Sequence, residues 1–69
     1  MALTEVIGSD MYRIRRIAGD SKVRRHLENL GFVPGEKVRI INRVDSGLIV
    51  NIKGCRVAVN HDAATMIQV

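Results

Sequence analysis

Within thirteen residues, Val23 to Gly35 (VRRHLENLGFVPG) holds a helix pattern, a helix stop and a tight turn, which leaves the chain few ways to fold. Val23, His26, Leu27 and Leu30 recur at the i, i+3, i+4, i+7 spacing of one helical face, with His26 as a candidate inward side chain. Lys22, Arg24, Arg25, Glu28 and Asn29 take the other face. Gly31 supplies the left-handed residue that ends a helix, and Phe32 behind it can fold back on Leu27. Pro34-Gly35 suits a type II turn, because proline presets φ at the second position and glycine accepts a positive φ at the third. The chain therefore leaves the helix, reverses and enters a strand at about Glu36.

The remainder reads mostly as strands. Met1 to Asp10 is expected as a short lead-in strand or extended arm, with Leu3, Val6 and Ile7 covering one end of the core. Met11 to Ala18 mixes Ile14 and Ile17 with Arg13, Arg15 and Arg16, so its alternation slips by one residue, as a β-bulge near Arg15-Arg16 would make it. Gly19 breaks that strand. Asp20 or Ser21 is placed to cap the helix, which the spacing makes about ten residues long.

After Glu36, Val38, Ile40, Asn42 and Val44 share one strand face, and Arg39, Ile41 and Arg43 the other. Asp45-Ser46-Gly47 reverses the chain into a strand where Leu48, Val50 and Ile52 alternate with Ile49, Asn51 and Lys53. A turn at Lys53-Gly54 leads to Cys55, Val57 and Val59, alternating with Arg56, Ala58 and Asn60. His61 to Ala64 reads as one helical turn capped by Asn60, His61 or Asp62. Met66 to Val69 closes as a short strand with Ile67 and Val69 inward. The expected fold is mainly β: a small SH3-like barrel of about five strands with one α-helix, closure being how a short meander avoids long unpaired edges.

The 69 residues make one domain, 1–69, with a modest core, since a chain of this size buries roughly 60% of the surface it exposes when unfolded. The single cysteine, Cys55, excludes an intrachain disulfide, and an unpaired thiol without a secretion signal suits a cytoplasmic location. No apolar run reaches the roughly 18 to 20 residues of a membrane-crossing helix, so membrane contact is expected only through a partner. Eleven Lys and Arg against seven Asp and Glu give a formal charge of +4, which favours an acidic partner surface, anionic lipid headgroups or nucleic acid.

Motif spacing argues against catalytic and metal chemistry. His26, Cys55, His61 and Asp62 fall in no CxxC, HxxxH or HExxH spacing, so no metal site is expected; Cys55 reads as a small buried strand residue. There is no GxSxG, no paired-carboxylate motif and no nucleophile spaced from a base, and the glycines sit singly at turns rather than in a phosphate loop. No enzyme activity, cofactor or small-molecule substrate is expected.

Two partner classes remain. Arg13, Arg15, Arg16, Arg24, Arg25, Arg39, Arg43 and Arg56 could form a basic stripe for nucleic acid. Tyr12 and Phe32 are the only aromatics, which argues against single-stranded binding, a mode built on aromatic stacking platforms. Protein binding asks for less: Arg24, Arg25 and Glu28 on the helix, beside an exposed Phe32-Val33 corner, combine a charged rim with an apolar centre.

Ile14 to Ile17, Arg25 to Leu27, LGFVPG, the strand from Val38, Gly54 before Val57-Ala58-Val59 and the closing AATMIQV together resemble a FeoA-like domain over most of the chain. The resemblance implies an SH3-like barrel that assists ferrous iron uptake by binding a FeoB-type ferrous iron transporter on its cytoplasmic side, without carrying iron itself. A monomer or weak homo-oligomer is expected. A similar domain ends some iron-dependent repressors, so a free-standing regulatory or nucleic-acid-binding barrel is the alternative. The chain departs from the family where Ser46-Gly47-Leu48 replaces Gly-Asp-Pro at the hairpin and where Asn60 replaces an arginine.

Overall fold

In the computed structural model, which describes residues 1–69, the helix, stop and turn stand where their residues call for them. Helix α1 spans Ser21–Asn29. The Asp20 carboxylate accepts from the Val23 amide at 2.9 Å, satisfying one of the free N–H groups of the first turn. At the other end the Phe32 amide donates to the Leu27 carbonyl and the Gly31 amide to the Glu28 carbonyl, both at 3.0 Å, with Gly31 at φ +107°. Those paired bonds are a Schellman stop. The Glu36 amide then donates to the Val33 carbonyl at 3.1 Å across Pro34-Gly35, with Gly35 at φ +90°, as a type II turn requires.

Six strands surround this segment: β1 Met11–Arg13, β2 Arg16–Ile17, β3 Lys37–Val44, β4 Gly47–Ile52, β5 Cys55–Asn60 and β6 Ile67–Gln68. An antiparallel sheet runs in the order β1-β3-β4-β5, and β2 pairs with β6 in a second, two-stranded sheet. The expected bulge near Arg15-Arg16 is instead a parting of the strand. Ile14 donates its amide to the Glu36 carbonyl at 2.8 Å, whereas its neighbour Arg15 donates to the Gln68 carbonyl at 2.7 Å. The chain thus changes sheets between adjacent residues, and the slip in alternation lets both Ile14 and Ile17 reach the core.

The bulge lies in β3. Ile40 opposes Val50 and Asn42 opposes Ile49, leaving Ile41 as the extra residue. A bulge of one residue flips every later side chain to the other face. The expectation that Asn42 and Val44 share the face of Val38 and Ile40 is therefore corrected: Arg43, opposite Leu48, takes that face where it stays exposed at the end of the strand, while Asn42 and Val44 face the other way. Arg43 Nη2 donates to the carbonyls of Val6 at 2.9 Å and Gly8 at 2.8 Å.

The N-terminal residues are not an extended arm. Leu3–Glu5 form a 3₁₀ turn, with the Glu5 carboxylate accepting from the Ala2 amide at 2.8 Å. Leu3 and Val6 are buried as expected, but Ile7 is 89% exposed, because the turn directs Leu3 and Val6 into the core and leaves the next residue outside. The Lys53-Gly54 hairpin has φ +52° and +78°, the paired positive values of a type I′ turn. Helix α2, His61–Thr65, is the anticipated helical turn; the Asn60 side chain caps it, accepting from Ala63 at 2.8 Å. It packs on β4, β5 and the 3₁₀ turn.

Phe32, Leu3, Ile14, Leu27, Ile40, Ile52, Ile67, Val38 and Val50 fill the barrel, and Val69 is half-buried against them. Cys55, expected inside, is exposed. It opposes Ile52 at the hairpin end, where the strand has run past the core. No helix is long and apolar enough to cross a membrane.

Candidate docking surface

Helix α1 touches the barrel along a line rather than across a broad face. Leu27 is buried and Val23 half-buried, whereas His26 is exposed and Leu30 is 39% exposed, which corrects their expected inward placement. At about 100° of rotation per residue, Leu27 and Val23 mark the inward line, His26 and Lys22 fall on one flank, and Arg24 and Glu28 fall on the other. Arg25 points furthest from the core. Arg24, Arg25 and Glu28 are all exposed, so the structure brings these three predicted residues onto one charged surface.

Phe32 does not join them. It is 0% exposed, held by the Schellman bond to Leu27, so the expected exposed Phe32-Val33 corner is closed. Val33 is half-buried beside it. The reason is geometric: the bond from the Phe32 amide to Leu27 turns the chain back under the helix, and the aromatic ring follows into the core.

The His26 flank lines a groove of about 310 Å³ between α1 and α2, completed by Lys22, Val23, Asn60, Asp62, Ala63 and Met66. Met66 lies against Gly19, where an added Cβ would come within 2.5 Å of its sulfur. Spacing could not have revealed this groove, because its walls lie some forty residues apart in sequence; the one local hint is the small pair Ala63-Ala64, which permits close packing. His26 and Asp62 are the only groove residues of metal-ligand type, and no three His, Cys, Asp or Glu side chains converge anywhere in the chain. Two such residues are fewer than the three or four protein ligands that structural and catalytic zinc sites recruit.

A small, mainly β, SH3-like barrel with one main helix, whose Arg24, Arg25 and Glu28 are exposed, is the class of domain that this structure defines. The chain belongs to the FeoA family, the FeoA domain matching residues 1–69. Its backbone is similar to the FeoA protein of Chlorobium tepidum, with a TM-score of 0.87 and 27% identity over 99% of this chain and 67% of that one. It is also similar to zinc-complexed FeoA of Stenotrophomonas maltophilia, a prokaryotic SH3 domain protein, with a TM-score of 0.81 and 25% identity over 97% and 86% of the two chains. The manganese regulator SloR shares the fold alone, at a TM-score of 0.83 and 16% identity over 96% of this chain and 32% of SloR. Curated proteins give no significant match.

Proposed function

We propose that this protein is a non-enzymatic accessory factor of ferrous iron uptake that docks on the cytoplasmic side of a FeoB-type transporter and modulates it. Membership of the FeoA family over residues 1–69 carries the reading. It is supported by the solved relatives, among them an iron uptake regulatory protein and the Stenotrophomonas maltophilia domain, which has been suggested as a ferrous iron transport activating factor. The contact uses the exposed surface of α1, with Arg24, Arg25 and Glu28 as the charged rim, Val33 at its edge, and Phe32 holding the corner from beneath.

Binding to the transporter in detergent, and to its soluble domain, tests the proposal. The expected result is a complex that weakens when Arg24 and Arg25 are both changed to Glu. Absence of any complex would sink the function; undiminished affinity in the double variant would reject the α1 surface.

A further inference from the structure

The positive charge of this molecule has a location that composition hides. The six strands contain Arg13, Arg16, Lys37, Arg39, Arg43 and Arg56 and not one Asp or Glu; the acidic residues all lie in turns, helices or strand approaches. Residues directly opposite in antiparallel strands share a face, and the register therefore places Met11, Arg39, Asn51 and Arg56 in one row across the outer face of the four-stranded sheet. Arg13 opposite Lys37 forms the row beside it. On the far side lies the row of Asn42, Ile49 and Ala58, with Ile41 bulged out next to it, and beyond that Val44. Strand spacing of about 4.8 Å puts the Arg39 and Arg56 backbones about 10 Å apart.

This face is amphiphilic as well as cationic. Met11 at 49%, Ile41 at 41% and Val44 at 42% are half of the large apolar residues that the molecule exposes. The β3 bulge adds to it: Ile41 already lies on the face of Arg39, and the extra residue turns Val44 to that same side, away from the core.

We propose that the outer face of the β1-β3-β4-β5 sheet binds the surface of an anionic lipid bilayer. Arg13, Lys37, Arg39 and Arg56 meet headgroup phosphates, and Met11, Ile41 and Val44 enter the boundary with the acyl chains. Peripheral membrane binding draws on both terms, buried apolar area and attraction to anionic lipid. The phosphates of duplex nucleic acid would use the cations and leave the aliphatic side chains without a partner. Single strands would require stacking aromatics, which this face lacks.

Co-sedimentation with vesicles of phosphatidylcholine containing about one third phosphatidylglycerol tests the proposal, with pure phosphatidylcholine and duplex DNA as parallel arms. The expected result is binding to the anionic vesicles alone among the three. Arg39→Gln and Arg56→Gln should each weaken it about fivefold, the equivalent of one cationic contact near such a surface. Ile41→Ser should weaken it too, while Lys22→Gln, on α1 and off the sheet, leaves it unchanged. No binding to anionic vesicles overturns the proposal. So does equal loss in Lys22→Gln, which would mean that net charge alone is at work, or duplex binding lost in the arginine variants and kept in Ile41→Ser. Thermal melts of each variant establish that it is folded. Vesicles contain no transporter, so failure here leaves the transporter contact standing, and the reverse holds as well.

Discussion

Arg43 donates from Nη2 to the Val6 carbonyl at 2.9 Å, joining residues 37 apart in sequence. The bond exists because the extra residue in β3 turns Arg43 onto the face of Leu48, within reach of the N-terminal segment at Val6 and Gly8. A second bond to the Gly8 carbonyl makes one guanidinium nitrogen the clasp of that segment. Hydrogen bonds from a charged donor contribute more than neutral ones, less when solvent reaches them, so Arg43→Ala should cost about 1–2 kcal/mol. For a domain of this length that lowers the melting temperature by about 7–14 °C. Arg39→Ala, on the outer face, should change stability by no more than about 0.5 kcal/mol. Equal melting temperatures for the two variants would dismiss the clasp.

Gly47 and Gly31 separate two reasons for glycine. Gly31 needs its positive φ, and a Cβ there would meet only the Lys53 side chain, at 3.6 Å. Alanine at a left-handed position costs about 1 kcal/mol. Gly47 has no positive φ, but a Cβ on it would collide with the Val59 carbonyl oxygen and lie 2.8 Å from the Asn60 Cα, both backbone atoms of β5. Backbone cannot swing aside as a side chain can. Gly47→Ala should therefore be the more damaging change, leaving a chain that fails to give a cooperative melt, whereas Gly31→Ala melts cooperatively at a lower temperature. Denaturant titration of both variants checks the order.

Cys55 offers a simpler test of where β5 leaves the core. As an exposed thiol it should react with a disulfide reagent in the native protein, with no unfolding step to limit the rate. Cys55→Ser should change stability by less than about 0.5 kcal/mol. Reaction only after denaturant is added would put the sulfur inside the barrel.

How much of this was legible in the sequence depends on the range of the interaction. The α1 stop and the turns at Pro34-Gly35 and Lys53-Gly54 rest on backbone chemistry within a few residues, and Gly31, Gly35 and Gly54 announce them. The caps Asp20 and Asn60 are equally local. The parting of β1 from β2 depends on which strand each amide finds, Glu36 or Gln68, and nothing near Ile14 encodes that choice. The β3 bulge did leave a trace: Asn42 fell at a position that strict alternation assigned to the core, and an asparagine there argues that the phase has already slipped. His26 and Leu30 matched a helical face, but periodicity says which residues align and not how wide a surface the helix meets. Of the candidate site, the exposed charges of α1 were readable, whereas the groove wall from α2 was not, because it is assembled by tertiary packing.

Phe32 distinguishes a residue that supports a surface from one that makes the contact. It is fully enclosed, and its amide belongs to the α1 stop. Truncating a buried phenylalanine costs about 3–5 kcal/mol, a large fraction of what a domain of this size possesses. Phe32→Ala should therefore abolish transporter binding together with the thermal transition. Arg24→Glu with Arg25→Glu should keep the melt and change the binding, chiefly through slower association and a flatter salt dependence, as rim charges do. Phe32→Leu keeps the site apolar and most of its volume, so it should restore both the fold and the affinity. If Phe32→Leu instead melts normally and still fails to bind, the aromatic ring itself must be reaching the partner, and the closed corner must open on docking.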